Sequence, residues 1–328
     1  MIIEGAPPNH GQHCETTTLG VLLRHIGVEL SEPMMFGLGE GLGFVYWDAR
    51  YLDFPFLGGR SKPGCIARNL VDRLSLTLHT EETTSVRKAW QNIAARIDAG
   101  WPVGLQLDSY HLDYFSTKVH FGGHFVAMYG YDDTYAYLVD TTQQGGTVRT
   151  TLQSLATARA ERGPMTAKNL SFTVTRSGEP AAPGNVLGTA IRNTANAFLN
   201  PPIANLGYRG IEKAAGQLTS WLSRSDDPAH DLALAASLME AGGTGGALFR
   251  NMYSDFLAEC LTMVDDNNLR AGHRMYREAA ALWTDVAKRI AAAGQTADPA
   301  HLTDASIILH KLADIERTAM RMLADVKT

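Results

Sequence analysis

The sequence predicts an α+β fold class: a mixed domain with an antiparallel sheet, followed by an all-α helical bundle. Up to about residue 180, short apolar runs alternate with Gly-rich loops and amphipathic segments, which is typical of a mixed domain. Beyond that point nearly every segment is rich in Ala and Leu, with apolar residues at helical spacing. Because only short breaks separate these helical segments, we expect them to pack antiparallel in a bundle.

A hairpin is the clearest feature of the predicted sheet. The segments 124–133 and 135–140 are apolar and β-rich, and Asp132, Asp133 and Thr134 supply the turn. The other predicted strands are 102–108 and 170–175. Apolar residues at spacings of three and four predict helices over 16–26, 66–78 and 86–99.

The domain boundary is expected at GEPAAPG, residues 178–184, because Pro and Gly interrupt regular structure. We therefore predict an α+β domain over 1–178, a linker over 179–185 and a helical bundle over 186–328. Within the bundle, helical periodicity predicts helices over 210–222, 229–241, 246–264, 269–293 and 302–326.

Composition excludes several classes of function. The 328 residues carry 29 Lys and Arg against 34 Asp and Glu, whereas binding to a nucleic-acid backbone needs a basic face. No segment approaches the roughly 20 consecutive apolar residues that span a bilayer, and the N-terminus lacks a signal-peptide pattern. We expect neither nucleic acid nor membrane as a partner. The three cysteines are too few for a disulfide framework, which favours a reduced, cytoplasmic protein.

Three residues in chain order indicate nucleophilic catalysis. Cys14 begins the first amphipathic helix, where the helix dipole and unpaired backbone N–H groups favour a thiolate. His124 follows two glycines at the start of a strand and is the candidate base. A turn near 132–134 places Asp140 opposite His124, where its carboxylate can orient the imidazole. This order of Cys, His and Asp, with the last two on adjacent antiparallel strands, is the papain-like arrangement.

Structural and metal-binding interpretations of these residues stay open beside the catalytic one. Cys14 and His124 could be ordinary core residues, and Asp140 could cap its own turn. Cys65 and Cys260 lie in predicted helices, and we expect both to be buried apolar residues. A zinc-ligand set can be written from His10, His13, Cys14, His120 and His124. The two glycines before His124 disfavour the helix that such a set needs, so we predict no metal site.

The chain resembles the family of butirosin biosynthesis protein H. The N-terminal half is similar to that family in HCETTTLGVLLRHIGVELSEPMMFGLGEGLGF, in GWPVGLQLDSYHLDYF and in the His/Asp hairpin. The second half is similar to the helical domain that accompanies it, through GTGGALFRNMYSDFLAEC at 243–260. The papain-like superfamily, notably its bacteriocin-processing peptidases, is similar through Cys14 and the hairpin. Together these similarities cover nearly the whole chain.

The resemblance implies an acyltransferase of natural-product biosynthesis, including antibiotic biosynthesis, with a papain-like catalytic domain. An acyl group on an acyl-carrier-protein thioester would move to Cys14 and then to a small-molecule amine, which makes an amide. Phosphopantetheine would enter on the carrier protein, and no bound cofactor is implied. Because an acyl-enzyme must survive water until the amine arrives, we expect the helical domain to cover the cleft. A papain-like hydrolase, whether peptidase, amidase or thioesterase, is the alternative function, and the long C-terminal helices are compatible with a homodimer.

The residues just before the nucleophile depart from the papain-like pattern. Such enzymes commonly carry an oxyanion-binding Gln several residues before the Cys, whereas here Gln12 is two residues upstream and Asn9 is five. Either side chain could serve beside the backbone N–H of Cys14. His13 and Glu15 flank the nucleophile and could tune it or face solvent.

Four further residues are candidates for substrate contacts. Glu40, within GLGEGLG, could bind an amine, while Asp108 and Tyr110 follow the strand that precedes the hairpin. Ordinary loop polarity is the alternative for these three. Arg250 could contact the phosphate of phosphopantetheine, and a salt bridge beside a tight helix crossing is its alternative.

Overall fold

A computed structural model describes residues 1–4, 11–49, 52, 54–116, 118–163 and 165–327. Its strands are β1 (Leu42–Trp47), β2 (Phe56–Arg60), β3 (Thr77–Glu81), β4 (Val103–Leu107), β5 (His124–Tyr131), β6 (Tyr135–Val139), β7 (Thr147–Thr151) and β8 (Ser171–Thr175). Its helices are α1 (Cys14–His25), α2 (Glu32–Leu38), α3 (Cys65–Arg73), α4 (Val86–Asp98), α5 (Leu152–Ala160), α6 (Pro183–Leu199), α7 (Gly207–Leu218), α8 (Trp221–Arg224), α9 (Pro228–Ala241), α10 (Arg250–Cys260), α11 (Asn267–Thr296) and α12 (Pro299–Ala324). The chain divides into two compact units: Met1–Met35 with Pro63–Ala181, and Phe36–Lys62 with Ala182–Thr328.

The first unit is built on an antiparallel sheet of six strands in the order β3-β8-β4-β5-β6-β7. Successive side chains of β5 point to opposite faces, and both faces are covered. On one face Val126 packs in a core with Ile93 of α4 and Leu155 of α5. On the other face Val21 of α1 packs against Ala127. The helix and the strand that were predicted to carry the nucleophile and the base are therefore neighbours.

The second unit combines a two-stranded hairpin with a helical bundle. β1 pairs antiparallel with β2 and packs against α7, while α11 and α12 run along each other through the bundle. Residues at helical spacing on α11, such as Trp283, Val286 and Ile290, are fully buried. None of the helices in the described ranges is both long enough and apolar enough to span a membrane.

The predicted fold class is confirmed, since an antiparallel sheet with helices precedes a region that is almost entirely helical. The bounds of α4, β4, β8 and α9 lie within one residue of the predicted ones. Segment 66–78 was predicted as one helix, but α3 ends at Arg73 and β3 begins at Thr77. Ser75, with a φ of 57°, interrupts it in the left-handed conformation that ends helices. Helix α6 starts inside the predicted linker because Pro183 occupies its first turn, where proline is tolerated.

Residues 36–62 group with the second unit, whereas the sequence predicted them within a domain of residues 1–178. The backbone N–H of Tyr46 donates to the carbonyl of Asn205 at 2.9 Å. Gly59 lies so close to Leu248 that a Cβ there would be 2.3 Å from the Leu248 carbonyl oxygen. The partners of this hairpin are remote in sequence, so no local pattern indicates them. The cleft-covering role of the helices stays a prediction.

Arg250 does not have the expected phosphate contact, because its guanidinium is fully buried in the second unit. It donates to both carboxylate oxygens of Glu316 at 2.9 Å and to the Leu248 carbonyl at 2.8 Å. Trp283 Nε1 also donates to Glu316 at 2.5 Å, and the guanidinium lies 4.8 Å from the Trp283 ring centroid. The expected alternative of a salt bridge is correct, but the bridge is in the core rather than on the surface.

We predict that Arg250→Met lowers the free energy of unfolding by about 3–5 kcal/mol, because the Glu316 carboxylate is then buried without its cation. Urea denaturation followed by circular dichroism measures this. Lys311→Met is the matched control, since the Lys311–Glu278 pair is about half exposed and should be worth less than about 1 kcal/mol. Equal effects of the two substitutions would contradict the prediction.

Candidate active site

The candidate nucleophile is the first residue of α1. Cys14 is nearly buried, with 8% of its surface exposed. His13 is the N-cap: its backbone is extended and its Nδ1 accepts a hydrogen bond from the Thr16 N–H at 3.4 Å. An imidazole that accepts through Nδ1 cannot carry a proton on that nitrogen. His13 thus fixes the start of the helix and does not face solvent, while tuning of the nucleophile stays a prediction.

Glu32, at the start of α2, holds the backbone that leads into Cys14. Its carboxylate accepts from the N–H of Gln12 at 2.9 Å and from the N–H of His13 at 2.8 Å. It also accepts from Thr16 Oγ1 at 2.8 Å. No local sequence pattern indicates this role of Glu32, because only the folded chain brings its carboxylate to the loop before α1.

Glu15 is fully buried and caps a different helix. Its carboxylate accepts from the N–H of Ala67 at 2.9 Å and from the N–H of Gly64 at 3.1 Å, at the start of α3. A negative charge at a helix N-terminus is favourable because it faces the positive end of the helix dipole. Glu15 therefore ties α1 to α3 and does not face solvent.

The two glycines before His124 allow close packing of the backbone, as the sequence predicted. A Cβ on Gly122 would lie 2.5 Å from the carbonyl oxygen of Met165. The Gly122 carbonyl accepts from the side-chain amide of Gln106 at 2.8 Å. His124 then opens β5 opposite Leu107 of β4, so the start of the strand and its first side chain are fixed from two sides.

Cys14, His124 and Asp140 lie together in the first unit. Nε2 of His124 is 2.8 Å from Oδ2 of Asp140, and both side chains are buried. The Cys14 side chain is near enough to His124 to contribute to the raised pKa of the imidazole. Because Nε2 faces the carboxylate, Nδ1 is the ring nitrogen left for the sulfur. The structure brings the three predicted residues into one constellation.

The strand register that brings His124 to Asp140 differs from the expected one. Ala127 pairs with Val139, which places Asp140 opposite Val126, two residues from His124. Asp140 lies beside His124 as predicted, but with an offset of two residues along the strand. In the turn Asp132 accepts from the N–H groups of Thr134 and Tyr135 at 2.8 and 2.7 Å, and the register shifts between Met128 and Gly130. The two side chains meet across a diagonal instead, which long side chains can span.

The His124 imidazole is strongly basic in this site. Burial by itself lowers the pKa of His124, but the Asp140 carboxylate and its hydrogen bond, with a smaller contribution from Cys14, raise it to about 10. The imidazole is therefore protonated at neutral pH, with Cys14 as one of the groups that raise its pKa.

Two further groups hold the Asp140 carboxylate, and the sequence analysis missed both. Tyr114 Oη donates to Oδ2 at 2.7 Å, and the N–H of Thr141 donates to Oδ1 at 2.6 Å. The Phe115 ring meets the His124 ring edge-on, with centroids 5.2 Å apart. The quoted motif GWPVGLQLDSYHLDYF contains Tyr114, but nothing in its spacing indicates that the hydroxyl reaches Asp140.

Asp108 and Tyr110 shape the loop that leads to His124. Asp108 is buried and accepts from the N–H groups of Tyr110 and Phe121, each at 3.0 Å. Its other carboxylate oxygen is 3.0 Å from Nδ1 of His120. The Tyr110 ring stacks on His120 with centroids 4.0 Å apart and stays partly exposed. Asp108 thus holds this loop together through backbone N–H groups and His120, and substrate contacts by Asp108 and Tyr110 stay predictions.

The other predicted residues have varied environments. Glu40 adopts a φ of 55° and accepts from Asn193 Nδ2 at 2.8 Å within the second unit. Gln12 is exposed, and its backbone N–H is engaged by Glu32. Asn9 lies outside the described residues. Amine binding by Glu40 and oxyanion binding by the Gln12 side chain stay predictions.

The remaining cysteines differ from each other. Cys260 is fully buried as expected, and its burial raises the pKa of the thiol to about 12, which keeps it protonated. Cys65 starts α3 and is partly exposed, so the expectation of a buried residue is wrong there. Among the described residues, no three side chains of His, Cys, Asp or Glu group so that they could hold a metal ion, and His10 lies outside those residues.

A cysteine at a helix start, beside a hydrogen-bonded His–Asp pair on adjacent antiparallel strands, places the first unit in the papain-like class. The model of "Butirosin biosynthesis protein H, N-terminal" matches residues 13–141. The model of "Domain of unknown function (DUF4872)" matches residues 153–323. The chain belongs to the family of butirosin biosynthesis protein H, and the resemblance seen in the sequence is confirmed.

A solved structure is similar to part of this chain at low sequence identity. A crystal structure of a protein from Bacillus anthracis, described as a C39-like peptidase, is similar over 54% of this chain and 98% of its own length. The identity is 18% and the TM-score is 0.39. A comparison with curated proteins finds no match.

We predict that the His124–Asp140 pair stabilises the fold at neutral pH and that this stability is lost in alkali. The pKa of His124 is about 10 in the folded chain and about 6.5 in an unfolded one, so the folded state binds one more proton between these values. The free energy of unfolding should fall by about 1.4 kcal/mol per pH unit across this window. Denaturation from pH 6 to 10.5 measures it.

The comparison is made between Cys14→Ser and Cys14→Ser/His124→Gln, because without the thiol the imidazole is the only one of these two groups that can titrate. Only the chain that retains His124 should show the slope. If both variants lose stability equally as the pH rises, the pair contributes nothing in this window.

We predict that Glu32→Ala loosens the start of α1, because the N–H groups of Gln12 and His13 lose their acceptor. The expected cost is about 2 kcal/mol of unfolding free energy, together with faster hydrogen exchange at those two amides. Glu29→Ala, an exposed acid of the same connection, is the control and should change neither. Slow exchange at both amides in Glu32→Ala would contradict the capping role.

Proposed function

We propose that this protein is a cysteine-dependent acyltransferase that forms an amide in natural-product biosynthesis. The observation that carries the proposal is the constellation of Cys14, His124 and Asp140 in a member of the butirosin biosynthesis protein H family. A thiolate beside an imidazolium suits attack on a thioester, and the carboxylate keeps the imidazolium in place.

In the first step the Cys14 sulfur attacks the carbonyl carbon of a carrier-bound thioester. The tetrahedral intermediate collapses as the bond to the pantetheine sulfur breaks, and the His124 imidazolium gives its proton to that leaving sulfur. The acyl group is then held on Cys14 as a new thioester, and His124 is a neutral base.

In the second step an amine attacks the acyl group on Cys14. The imidazole takes a proton from the amine nitrogen, the bond to the Cys14 sulfur breaks, and an amide leaves. The site returns to a thiolate and an imidazolium, so that no oxidant, reductant or metal is consumed. Water in place of the amine would release a free acid by the same path.

The developing oxyanion needs hydrogen-bond donors close to the sulfur. The N–H groups of Gln12 and His13 are already engaged by Glu32. The N–H of Cys14 itself, at the first position of α1, is the backbone donor that we assign to the oxyanion. The exposed Gln12 side chain is the second candidate donor.

The proposed partners are an acyl carrier protein, which brings phosphopantetheine with the acyl group, and a small-molecule amine. We propose no bound cofactor, because thioester exchange and aminolysis need only the nucleophile and the proton carrier. A working thiolate also favours a reducing compartment such as the cytoplasm.

Intact-mass measurement of the purified protein tests the proposal. Incubation with an acyl-pantetheine thioester should add the mass of the acyl group, and a following amine should remove it with formation of the amide. Cys14→Ala should carry no adduct, whereas the matched control Cys65→Ala should carry it fully.

Two results would contradict the acyltransferase function. Formation of free acid at the same rate with and without amine would favour the hydrolase with the same three residues. An adduct that persists in Cys14→Ala would remove Cys14 from the reaction.

A further inference from the structure

One oxygen of the buried Asp140 carboxylate receives two hydrogen bonds. Oδ2 is 2.8 Å from Nε2 of His124 and also accepts from Tyr114 Oη at 2.7 Å. The other oxygen, Oδ1, accepts from the N–H of Thr141 at 2.6 Å. A phenol and an imidazolium therefore share one carboxylate oxygen, and the third donor keeps that oxygen pointed at both.

The segment that carries Tyr114 is anchored independently of the site. Asp113 accepts from the N–H and the hydroxyl of Thr151 at 2.8 and 2.9 Å, and from the hydroxyl of Thr150 at 3.0 Å. Phe115, on the other side of Tyr114, lies edge-on to the His124 ring. The phenol is thus delivered to Asp140 by a backbone that β7 holds in place.

Tyr114 keeps its proton throughout the working range of pH. Burial, together with the charge and the hydrogen bond of Asp140, raises the pKa of this phenol well above its ordinary value. The titratable groups that face the Asp140–His124 pair are then Tyr114 from this segment and Cys14 from α1. Tyr114 is a neutral donor, and Cys14 is the one of the two that reacts.

We propose that Tyr114 is a positioning residue that weakens the hold of Asp140 on the proton of His124. A donor on Oδ2 withdraws part of the negative charge that the imidazolium would otherwise receive. The imidazolium then gives its proton to the leaving pantetheine sulfur more readily. This role rests on the proposed function, because proton donation matters only when a leaving group departs from Cys14.

Tyr114→Phe tests the proposal, since it removes the hydroxyl and keeps the ring. The pKa of the His124 imidazolium, followed by NMR of its ring carbons, should rise by roughly half a pH unit, because the carboxylate then has one donor fewer. The alkaline limb of Cys14 alkylation by iodoacetamide should move in the same direction. With a thioester, kcat for acylation should fall roughly 2- to 3-fold at unchanged KM.

Tyr131→Phe is the matched control. It removes a 2.8 Å hydrogen bond from a tyrosine hydroxyl to Asp98, at the far end of the strand that His124 begins. Both titrations and the acylation rate should stay at the wild-type values. An imidazolium pKa that is unchanged or lowered in Tyr114→Phe would overturn the assignment.

A fluorinated tyrosine at position 114 provides a second variant that keeps the size of the residue. Fluorine makes the phenol a stronger donor, so the imidazolium pKa should fall instead of rise. If Tyr114→Phe does not fold, this variant decides alone: a lowered pKa supports the role, and an unchanged or raised one overturns it. Neither titration uses a thioester, so failure of this role and failure of acyl transfer are separate outcomes.

Discussion

The hydrogen bond between His124 and Asp140 determines the chemistry of the first unit. It forms where β5 begins and β6 has just ended, so both the turn and the strand register must be correct for two atoms to lie 2.8 Å apart. Either charge alone would be costly to bury, whereas the pair satisfies both and keeps a proton on the imidazole at neutral pH. The proposed transfer through Cys14 depends on that proton.

The position of the sulfur is set by groups that take no part in the reaction. His13 caps α1, Glu32 engages the N–H groups before it, and Glu15 joins the helix to α3. Two carboxylates near a nucleophile would be expected to disfavour a thiolate. Both of these, however, accept hydrogen bonds from backbone N–H groups, Glu15 at the start of α3 and Glu32 in the loop before α1. The start of α1 is therefore held by three side chains, and the proposed oxyanion donor is the N–H of Cys14.

Much of the site could be predicted from the sequence, because Cys14, His124 and Asp140 each begin or end a regular element whose pattern is local. The fold class followed from the same periodicities. Glu32 and Tyr114 could not be predicted, since their contacts depend on tertiary packing and a carboxylate or phenol in a loop is usually solvated. Arg250 shows a related limit: the sequence offered a phosphate contact or a surface salt bridge, but its partner Glu316 lies on another helix and the pair is buried.

The path of the chain has a consequence for biogenesis. The second unit takes residues 36–62 from near the N-terminus and the rest from beyond residue 181. On a ribosome, its β-hairpin is made long before the helices that bury it, and must wait while residues 63–181 of the first unit are synthesised. Neither unit is a separable module. A gene cut at the loop after β8 would separate the β1–β2 hairpin from the helices that it packs against. If the helical half were exchanged between relatives, the β1–β2 hairpin would have to be exchanged with it.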